Sequence, residues 1–383
     1  MRAATLQQDV QTSGQDTLAH RADRLAADFA TRASQHDQEE SFVAENYEGL
    51  KAEGLIRAAV PRELGGEGAE VREMADVVRR LAHGCSSTAL AFAMHTHQVV
   101  IPAWRWRHQP AAAPKVEPVL KTIAEKNIVL LTSGGGDWVG GSGRAERVEG
   151  GWHIHARKGF VSGAPVGSIL MTTAVSDDGI LHFGLPMNAP EVSRLDTWHT
   201  LGMRCTGSQD VEVEGFFLAE DKVALKRPPG EWHPLFQIIA TYAFPLIYAA
   251  YLGTAESARD IALEIARTRK GDARQPRLVG EMESALRAAQ LAHAHMLAVA
   301  ERNAPSAEAV SEVMIGRQLV EQSAIRSVEL AMELAAGSGF YRAAGLERRF
   351  RDVQGARYHP MRRDVQRHYT GALTLGDPVA RIY

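Results

Sequence analysis

A glycine-rich run, GGGDWVGGSG at residues 134–143, is one segment whose backbone could approach a ligand closely. Glycine has no Cβ, so such a run can admit a phosphate or a cofactor ring against the main chain. A dinucleotide-binding loop leads from a strand into a helix, whereas here the pattern continues as a strand pair. The run is therefore either a mobile surface loop or a backbone contact for a cofactor or substrate.

Histidines are the side chains best suited to proton transfer near neutral pH. His95 and His97 fall in the apolar run Ala89–Val100, which predicts a buried helix. Two residues apart in a helix, they point to different faces and do not bind one metal together. The chain contains no HExxH pattern and no CxxC pair, so we expect no metal site. By itself, either histidine fits a core or surface role with its hydrogen bonds satisfied.

Arginines are concentrated near the C-terminus. The segment from Tyr341 to Arg367 holds eight arginines and no lysine. A solvated helix face accounts for much of this, and the rigid guanidinium fork also suits a cofactor pyrophosphate or carboxylates of a neighbouring subunit. The chain has neither a GxSxG elbow nor a P-loop, so hydrolase and NTPase functions have no support.

The overall composition indicates a folded, soluble protein. The formal net charge of -3 favours neither nucleic acid nor an anionic membrane as a partner. Two cysteines, Cys85 and Cys205, cannot build a disulfide framework, so a reducing compartment is expected. The N-terminus lacks an apolar signal core, and the most apolar run, Ile238–Leu252, is expected to be broken by Pro245. We therefore expect a cytoplasmic protein that contacts neither nucleic acid nor membrane.

The first part of the chain must position these groups on helices. Helical periodicity extends from about Thr17 to Glu125. Within it, Ser86-Ser87-Thr88 precedes the run Ala89–Val100 and predicts a hydroxyl cap for that helix.

The remaining chain changes character twice. Alternating β-type runs begin near Asn127, and Gly150-Gly151 is a hairpin signal among them. After Pro228-Pro229-Gly230 the pattern is again helical, with several segments of the length found in helix bundles. An α-then-β-then-α order predicts segregated parts, not alternating βαβ units. The predicted domains are residues 1–126, 127–227 and 228–383.

Four segments, taken in their order along the chain, resemble landmarks of the acyl-CoA dehydrogenase superfamily. The resemblance implies an α+β fold with an N-terminal all-α domain, a middle β-barrel-like domain and a C-terminal four-helix bundle, usually assembled as a homotetramer. The segments are SSTALAFAMHTHQ (86–98), like the active-site helix; KGFVSGA (158–164), like the aromatic-x-Thr/Ser flavin contact; TWHTLGMRCTGSQDVEVEG (197–215), like the strand leading out of the middle domain; and LERRFRDV (346–353), like the segment before the catalytic loop.

The resemblance implies a flavin, FAD or FMN, between the middle and C-terminal domains. Phe160 would lie on the flavin ring, and the hydroxyl of Ser162 would sit at its N5 edge, where it can stabilise the ring as it is reduced. Thr132 falls where the family's loop holds the flavin pyrimidine. Ser133 and Gly134 follow it and depart from the family's Glu-Pro.

The adenosine diphosphate contacts implied by the resemblance are only partly present, so FAD and FMN both remain open. The turn Gly337-Ser338-Gly339 matches a backbone turn that holds this part of the cofactor from a neighbouring subunit. The family's Arg-x-x-Phe-Gly stretch is absent from ARTRKGDARQPRLVGEM, where Arg269, Arg274 and Gln275 are weak substitutes.

The catalytic carboxylate of the dehydrogenases is missing at both of its usual positions. Counting from Arg351-Asp352, the glutamate should fall at position 360, where this chain has Pro360 preceded by His359. The alternative position falls near Ala243-Phe244. A dehydrogenase must remove a weakly acidic α proton and needs a base beside that carbon. Neither position supplies one.

The chain then resembles a second branch of the superfamily, flavin-dependent monooxygenases that take reduced flavin from a separate reductase and react with oxygen. That branch uses a histidine on the active-site helix, a serine in the aromatic-x-Ser motif and a histidine in the C-terminal loop. Here His95, Ser162 and His359 match those places, with His368 as a second candidate. Oxygen chemistry needs a hydroxyl near N5 and a proton donor in a site that excludes water. The implied substrate is a small organic molecule.

Two alternatives remain from the sequence. A divergent acyl-CoA dehydrogenase could remove the proton with Asp364 or His359 and use FAD to oxidise an acyl-CoA thioester. A non-catalytic relative could bind nucleic acid or partner proteins through the arginine-rich segment, although the net charge of -3 argues against this.

Overall fold

The computed structural model describes residues 16–133, 135, 138–269 and 272–382. The first part is helical, as predicted, and Thr17 caps its first helix by accepting the backbone N–H of His20 at 3.2 Å. Asn127, in the left-handed conformation, ends the last helix of this part. The helices are α1 (Leu18–Glu39), α2 (Ala44–Ala52), α3 (Val71–Gly84), α4 (Ser86–His108) and α5 (Ala113–Lys126).

Helix α4 is buried on almost every side, which is why its sequence is apolar without a polar stripe. Its predicted hydroxyl cap is wrong. Cys85 is the capping residue, and its Sγ accepts the backbone N–H of Thr88 at 3.4 Å. Ser86 and Ser87 are the first two residues of the helix itself and stand after the capping position.

The middle of the chain forms one eight-stranded sheet of order β6-β7-β3-β2-β4-β5-β8, with β1 paired to β4 in parallel. The predicted hairpin is confirmed, since Gly151 pairs with Val148 and Gly150 takes a positive φ of 76° in the turn. The strands are β1 (Leu130–Thr132), β2 (Arg144–Val148), β3 (Gly151–Val161), β4 (Ile169–Ser176), β5 (Gly179–Pro186), β6 (Val192–Arg194), β7 (Gln209–Ala219) and β8 (Leu225–Arg227).

The last part is a bundle of long helices, as predicted. It is built around the longest of them, which packs on the N-terminal helices and on its own bundle partners. The helices are α6 (Pro234–Thr268), α7 (Gln275–Glu301), α8 (Ala307–Ala335), α9 (Leu346–Val353) and α10 (Arg363–Leu375). The α+β architecture predicted from the sequence is confirmed.

Pro245 does not break α6, so the predicted interruption is wrong. A proline removes one backbone N–H from a helix, and tight packing on all sides holds the helix together here. The carbonyl of Pro245 accepts Nε2–H of His293 from α7 at 2.8 Å. By length and composition α6 could cross a membrane, but 83% of its apolar window is buried inside the protein. It is the core helix of the bundle.

Arginines of the C-terminal segment connect the bundle to the first helices. Arg351 pairs with Asp37 of α1 at 2.5 Å. Arg349 is buried and donates to the carbonyl of His83 and to the hydroxyl of Ser257, at 3.1 and 3.2 Å. A solvated helix face therefore does not account for these two residues.

Close backbone approach fixes how α6 lies on α3. A Cβ built on Gly253 would stand 2.1 Å from the carbonyl oxygen of Arg79 in α3. Such a contact has no flexible side chain to move aside, because both partners are backbone. The approach of the two helices therefore requires glycine at position 253.

We expect Gly253→Ala to lower the free energy of unfolding by about 1–3 kcal/mol or more, because the added methyl must push α3 and α6 apart. Gly280→Ala is the matched control. It lies on an exposed position of α7 with nothing within 4 Å, and should stabilise the protein by roughly 0.5–1 kcal/mol. Urea unfolding measures both. Equal effects of the two substitutions would contradict the packing described here.

Candidate active site

The segments predicted to carry chemistry converge where α4 meets β1, the end of β3 and the loop between α9 and α10. Helix α4 packs against β1 and against the turn Arg204–Thr206. Helix α6 packs against α4 and α9, and its Tyr248 and Tyr251 are hydrogen-bonded to Ala356 and His359 after α9. Side chains from these elements define the candidate site.

His95 joins three segments through its ring. Its Nδ1 accepts the backbone N–H of Leu130 at 3.0 Å, so the proton lies on Nε2, which donates to the carbonyl of Ile56 at 2.8 Å. Burial lowers the pKa of His95 from 6.5 to about 4. The neutral ring therefore ties α4 to β1 and to the turn Leu55–Arg57, with both nitrogens engaged by backbone.

His97 faces a different direction, as predicted from its spacing. Its Nδ1 donates to the carbonyl of Ala93, one turn earlier in α4, at 3.1 Å. Its Nε2 accepts the side-chain amide of Gln98 at 3.1 Å. Burial lowers the pKa of His97 to about 4, so this ring is also neutral. His95 and His97 therefore bind different groups and do not face a common metal position.

The end of β3 presents an aromatic ring on a strained backbone. Phe160 has a φ of 58°, a conformation that bulky residues rarely adopt, and its side chain is 66% exposed. Its ring meets Trp198 edge-on at 5.9 Å, and its carbonyl accepts the N–H of Ser162 at 3.0 Å. This tight turn leaves the face of Phe160 open and directs Ser162 inward.

Ser162 ends a chain of three buried hydroxyls. Its Oγ lies 2.8 Å from Oγ of Ser208, which lies 2.6 Å from Oγ1 of Thr206. Three hydroxyl protons serve two internal hydrogen bonds, so one of the three protons is left for another acceptor. Ser208 and Thr206 were not predicted as site residues. They belong to the segment 197–215, where the hydroxyls of CTGS were the available signal.

The end of β1 carries two further hydroxyls. Thr132 donates to the carbonyl of Ser133 at 3.3 Å, and Oγ of Ser133 lies 3.2 Å from Oγ1 of Thr172. In the glycine-rich run that follows, residues 134, 136 and 137 lie outside the described residues. Trp138, past them, stacks on Phe236 of α6 with ring centres 5.8 Å apart.

His359 lies on the loop between α9 and α10, where it is half-buried. Its Nε2 is 2.5 Å from the hydroxyl of Tyr251 on α6, and its carbonyl accepts Nη2 of Arg317 on α8 at 2.7 Å. Burial and then the charge of Arg317 lower the pKa of His359 to about 3. His368 lies on α10 with its side chain exposed. The structure therefore gives the two predicted C-terminal histidines different surroundings.

Arg269 and Gln275 meet at the junction of α6 and α7. Gln275 donates to the carbonyls of Ala266 and Arg269 at 3.2 and 2.9 Å, and Arg269 donates to the carbonyl of Leu334 at 2.7 Å. These contacts satisfy carbonyls at the ends of α6 and α8. The turn 337–339 follows directly, with Gly337 and Ser338 exposed and Gly339 buried.

The arrangement fits a flavin ring better than it fits an adenosine diphosphate tail. Phe160 offers an open aromatic face, and Ser162, Thr132 and Ser133 supply hydroxyls for a heterocycle rich in hydrogen-bonding atoms. Near the turn 337–339, Nε of Arg269 is buried with no hydrogen-bond partner among the described residues. The other hydrogen bonds of Arg269, and those of Gln275, go to backbone carbonyls at the ends of helices α6 and α8.

Family comparison agrees with both helical parts of the chain. Residues 12–106 match the family model described as acyl-CoA dehydrogenase, N-terminal domain. Residues 246–363 match the model described as acyl-CoA dehydrogenase, C-terminal domain. Together the two matches cover more than half of the chain, one before and one after the strands in the sequence.

Individual relatives point to oxidative chemistry on this fold. The chain is 26% identical to the amino sugar nitrososynthase DnmZ of Streptomyces peucetius, over 89% of this chain and 88% of the relative. It is 28% identical to a dibenzothiophene monooxygenase of Mycolicibacterium goodii, over 64% of this chain and 62% of the relative. The structure of KijD3 in complex with FMN and dTDP-3-amino-2,3,6-trideoxy-4-keto-3-methyl-D-glucose superimposes with a TM-score of 0.85 at 25% identity, covering 95% and 94% of the two chains.

The geometry of His95 predicts how stability depends on pH. Its folded pKa lies below its unfolded value, so its contribution is present above pH 6.5 and is lost as pH falls toward 4. The loss is roughly 2 kcal/mol at pH 5. His95→Gln keeps one donor and one acceptor for the same two backbone groups and does not titrate. We expect it to reduce the difference in unfolding free energy between pH 7 and pH 5 by about this amount, measured with urea. An unchanged difference would contradict the burial of a neutral ring.

Proposed function

The chain belongs to the acyl-CoA dehydrogenase superfamily, and on that premise we propose that it is a flavin-dependent monooxygenase acting on a small organic substrate with reduced flavin and oxygen. The observation that carries the proposal is His359. It stands on the loop where a dehydrogenase has its glutamate, it contacts α6, and Pro360 follows it. The relatives that are monooxygenases and nitrososynthases support the same branch.

A dehydrogenase mechanism lacks its base in this site. Ala243 and Phe244 are buried in α6 and carry no carboxylate, and Pro360 carries none. Asp364, the alternative suggested by the sequence, has a side chain that is 74% exposed and pairs with Arg362 at 3.7 Å. A solvent-exposed carboxylate is poorly placed to remove a weakly acidic proton in a closed pocket.

The residues that would hold the flavin are Phe160, Ser162, Thr132 and Ser133. When bound in its reduced form, the flavin supplies the electrons with which oxygen becomes able to transfer one atom to a substrate. The Ser162 hydroxyl would supply a hydrogen bond to the flavin ring, since Ser208 can donate to Ser162 in turn. The strained turn at Phe160 would hold its exposed aromatic face for the same ring.

His359 and the aromatic side chains around it complete the site. His359 is neutral near pH 7, because burial opposes its protonation. It would therefore offer a hydrogen bond to the reacting groups without adding a charge to the site. Trp138, Phe236 and Phe244 form a contiguous aromatic cluster on this side of α6, with ring centres 5.8 Å apart. Such a surface excludes water from an oxygen reaction. We assign His95 a positioning role, because both of its nitrogens bind backbone.

The finer assignments follow from the same proposal. FMN is favoured over FAD, because Arg269 and Gln275 close helix ends and the KijD3 structure contains FMN. We propose a separate flavin reductase as the source of reduced flavin, a homotetramer as the assembly and the cytoplasm as the location. The substrate is a small molecule. The relatives named above act on molecules as different as an amino sugar and dibenzothiophene, so the family does not fix it.

The reaction class is tested by two matched experiments on the flavin-loaded protein. Reduced protein mixed with oxygen in a stopped-flow instrument should reoxidise through a distinct absorbance transient. The oxidised protein should not bleach with any acyl-CoA thioester of a chain-length panel under anaerobic conditions, since positions 243, 244 and 360 carry no carboxylate. Anaerobic bleaching by a thioester would overturn the monooxygenase assignment in favour of a dehydrogenase.

The two C-terminal histidines are distinguished by a pair of substitutions. His359→Gln should slow formation of the oxygenated product by roughly 10²-fold or more, because proton transfer is lost, and so reduce the yield of product per flavin reoxidised. His368→Gln should leave the yield unchanged, because that side chain is exposed on α10. The yield is followed with a substrate panel of aromatic, sulfur-containing and amino compounds. A greater loss in His368→Gln would reverse the assignment.

A further inference from the structure

Arg317 is a fully buried arginine that no part of the proposed reaction uses. Its Nη2 donates to the carbonyl of His359 at 2.7 Å, and its guanidinium lies 5.3 Å from the ring centre of Tyr248. Nε and Nη1 have no hydrogen-bond partner among the described residues. Burying a guanidinium with so few hydrogen bonds is costly, so its retention calls for an explanation beyond stability.

The charge of Arg317 is only partly neutralised. Its nearest carboxylate oxygen, on Glu321 one turn along α8, is 3.8 Å away. The other oxygen of Glu321 is held by Arg363, whose Nε donates to it at 2.9 Å. One negative charge is thus shared between two arginines. The cluster keeps a net positive charge next to the loop that carries His359.

Tyr251 determines which nitrogen of His359 carries the proton. Tyr251 is fully buried, and His359 is its hydrogen-bond partner among the described residues. A buried phenol must donate its proton to some acceptor, so O–H donates to Nε2. The proton of the neutral imidazole therefore lies on Nδ1, which has no partner among the described residues. Tyr248 supports the same loop by donating to the carbonyl of Ala356 at 2.7 Å.

We infer that Arg317 and Tyr251 are positioning residues that hold His359 as a neutral imidazole with its proton on Nδ1, which is left available as a hydrogen-bond donor. This inference rests on the proposed function for its catalytic meaning. Arg317 fixes the backbone at His359 and opposes a second positive charge on the ring, while Tyr251 fixes the tautomer. The titratable or charged groups facing the ring and its loop are Tyr248 and Tyr251 on α6, Arg317 and Glu321 on α8, Asp352 on α9 and Arg363 on α10.

The protonation state is tested by nitrogen NMR of the histidine side chains in the flavin-free, full-length protein, with His359→Gln identifying the resonances of His359. The wild type should show a single tautomer with Nε2 unprotonated. Arg317→Met keeps the volume and removes the charge, so protonation of His359 should begin at a pH about one unit higher. Arg317→Lys keeps a charge and should stay near the wild type. Arg326→Met, on an exposed position of the same helix, should change nothing.

Tyr251→Phe tests the tautomer without touching the charge. The ring should lose its single tautomer, because Nε2 no longer receives a phenol proton, while the onset of protonation changes little. If Arg317→Met fails to fold, Tyr251→Phe still tests the inference. A wild-type spectrum with the proton on Nε2, a Tyr251→Phe spectrum equal to the wild type, or an unchanged onset in Arg317→Met would each overturn the inference.

Activity then separates this inference from the proposed function. In the loaded enzyme, Arg317→Met should acquire a loss of product yield at acidic pH that wild type and Arg317→Lys lack. NMR results as expected, without oxygenated product from any variant, would refute the monooxygenase proposal and leave the positioning intact. Product formation together with a His359 spectrum that is unchanged in Arg317→Met and Tyr251→Phe would refute the positioning inference and leave the monooxygenase proposal intact.

Discussion

Burial of α6 is the constraint on which the rest of the structure depends. The helix packs on α3 and α4 from the N-terminal part and on α7, α8 and α9 from its own bundle, and Gly253 lets it approach α3 at backbone distance. The same helix carries Phe244, Tyr248 and Tyr251. Because the middle of this helix is buried, polar groups that face it there are removed from water and must find partners within the protein.

That loss of water explains the state of the histidines around the site. Desolvation disfavours the charged imidazolium, so His95, His293 and His359 are neutral and each pairs with a specific group. In each neutral ring, the hydrogen-bond partner of one nitrogen decides which of the two nitrogens carries the proton. His95 and His293 use their rings to join segments distant in sequence. His359 also has one nitrogen without a partner among the described residues, and it stands on a loop where its ring is half-buried.

The flavin-facing side of the site relies on local strain instead. Phe160 occupies a left-handed conformation that its side chain disfavours, and the neighbouring hydroxyl chain through Ser208 holds Ser162 in one direction. Phe160 lies at an irregularity in the pairing of β3 with β7, between the pairs Lys158–Val211 and Val161–Gln209. The paired residues on both sides anchor the short turn that carries the exposed aromatic ring.

The sequence by itself determined the α-then-β-then-α order and the hairpin at Gly150, because these depend on local periodicity and on turn residues. The motif at Phe160 and Ser162 and the missing carboxylate at position 360 came from resemblance to a family, which residue identity alone can show. Two predictions from the sequence were wrong. The cap of α4 is the thiol of Cys85 and not a hydroxyl. Pro245 does not interrupt α6, because the surrounding helices hold α6 together. Only the tertiary structure decided that both nitrogens of His95 bind backbone, that His368 faces solvent, and that Tyr251 and Arg317 hold His359. Tyr251 and His359 are 108 residues apart, and no local pattern relates positions that chain folding alone brings together.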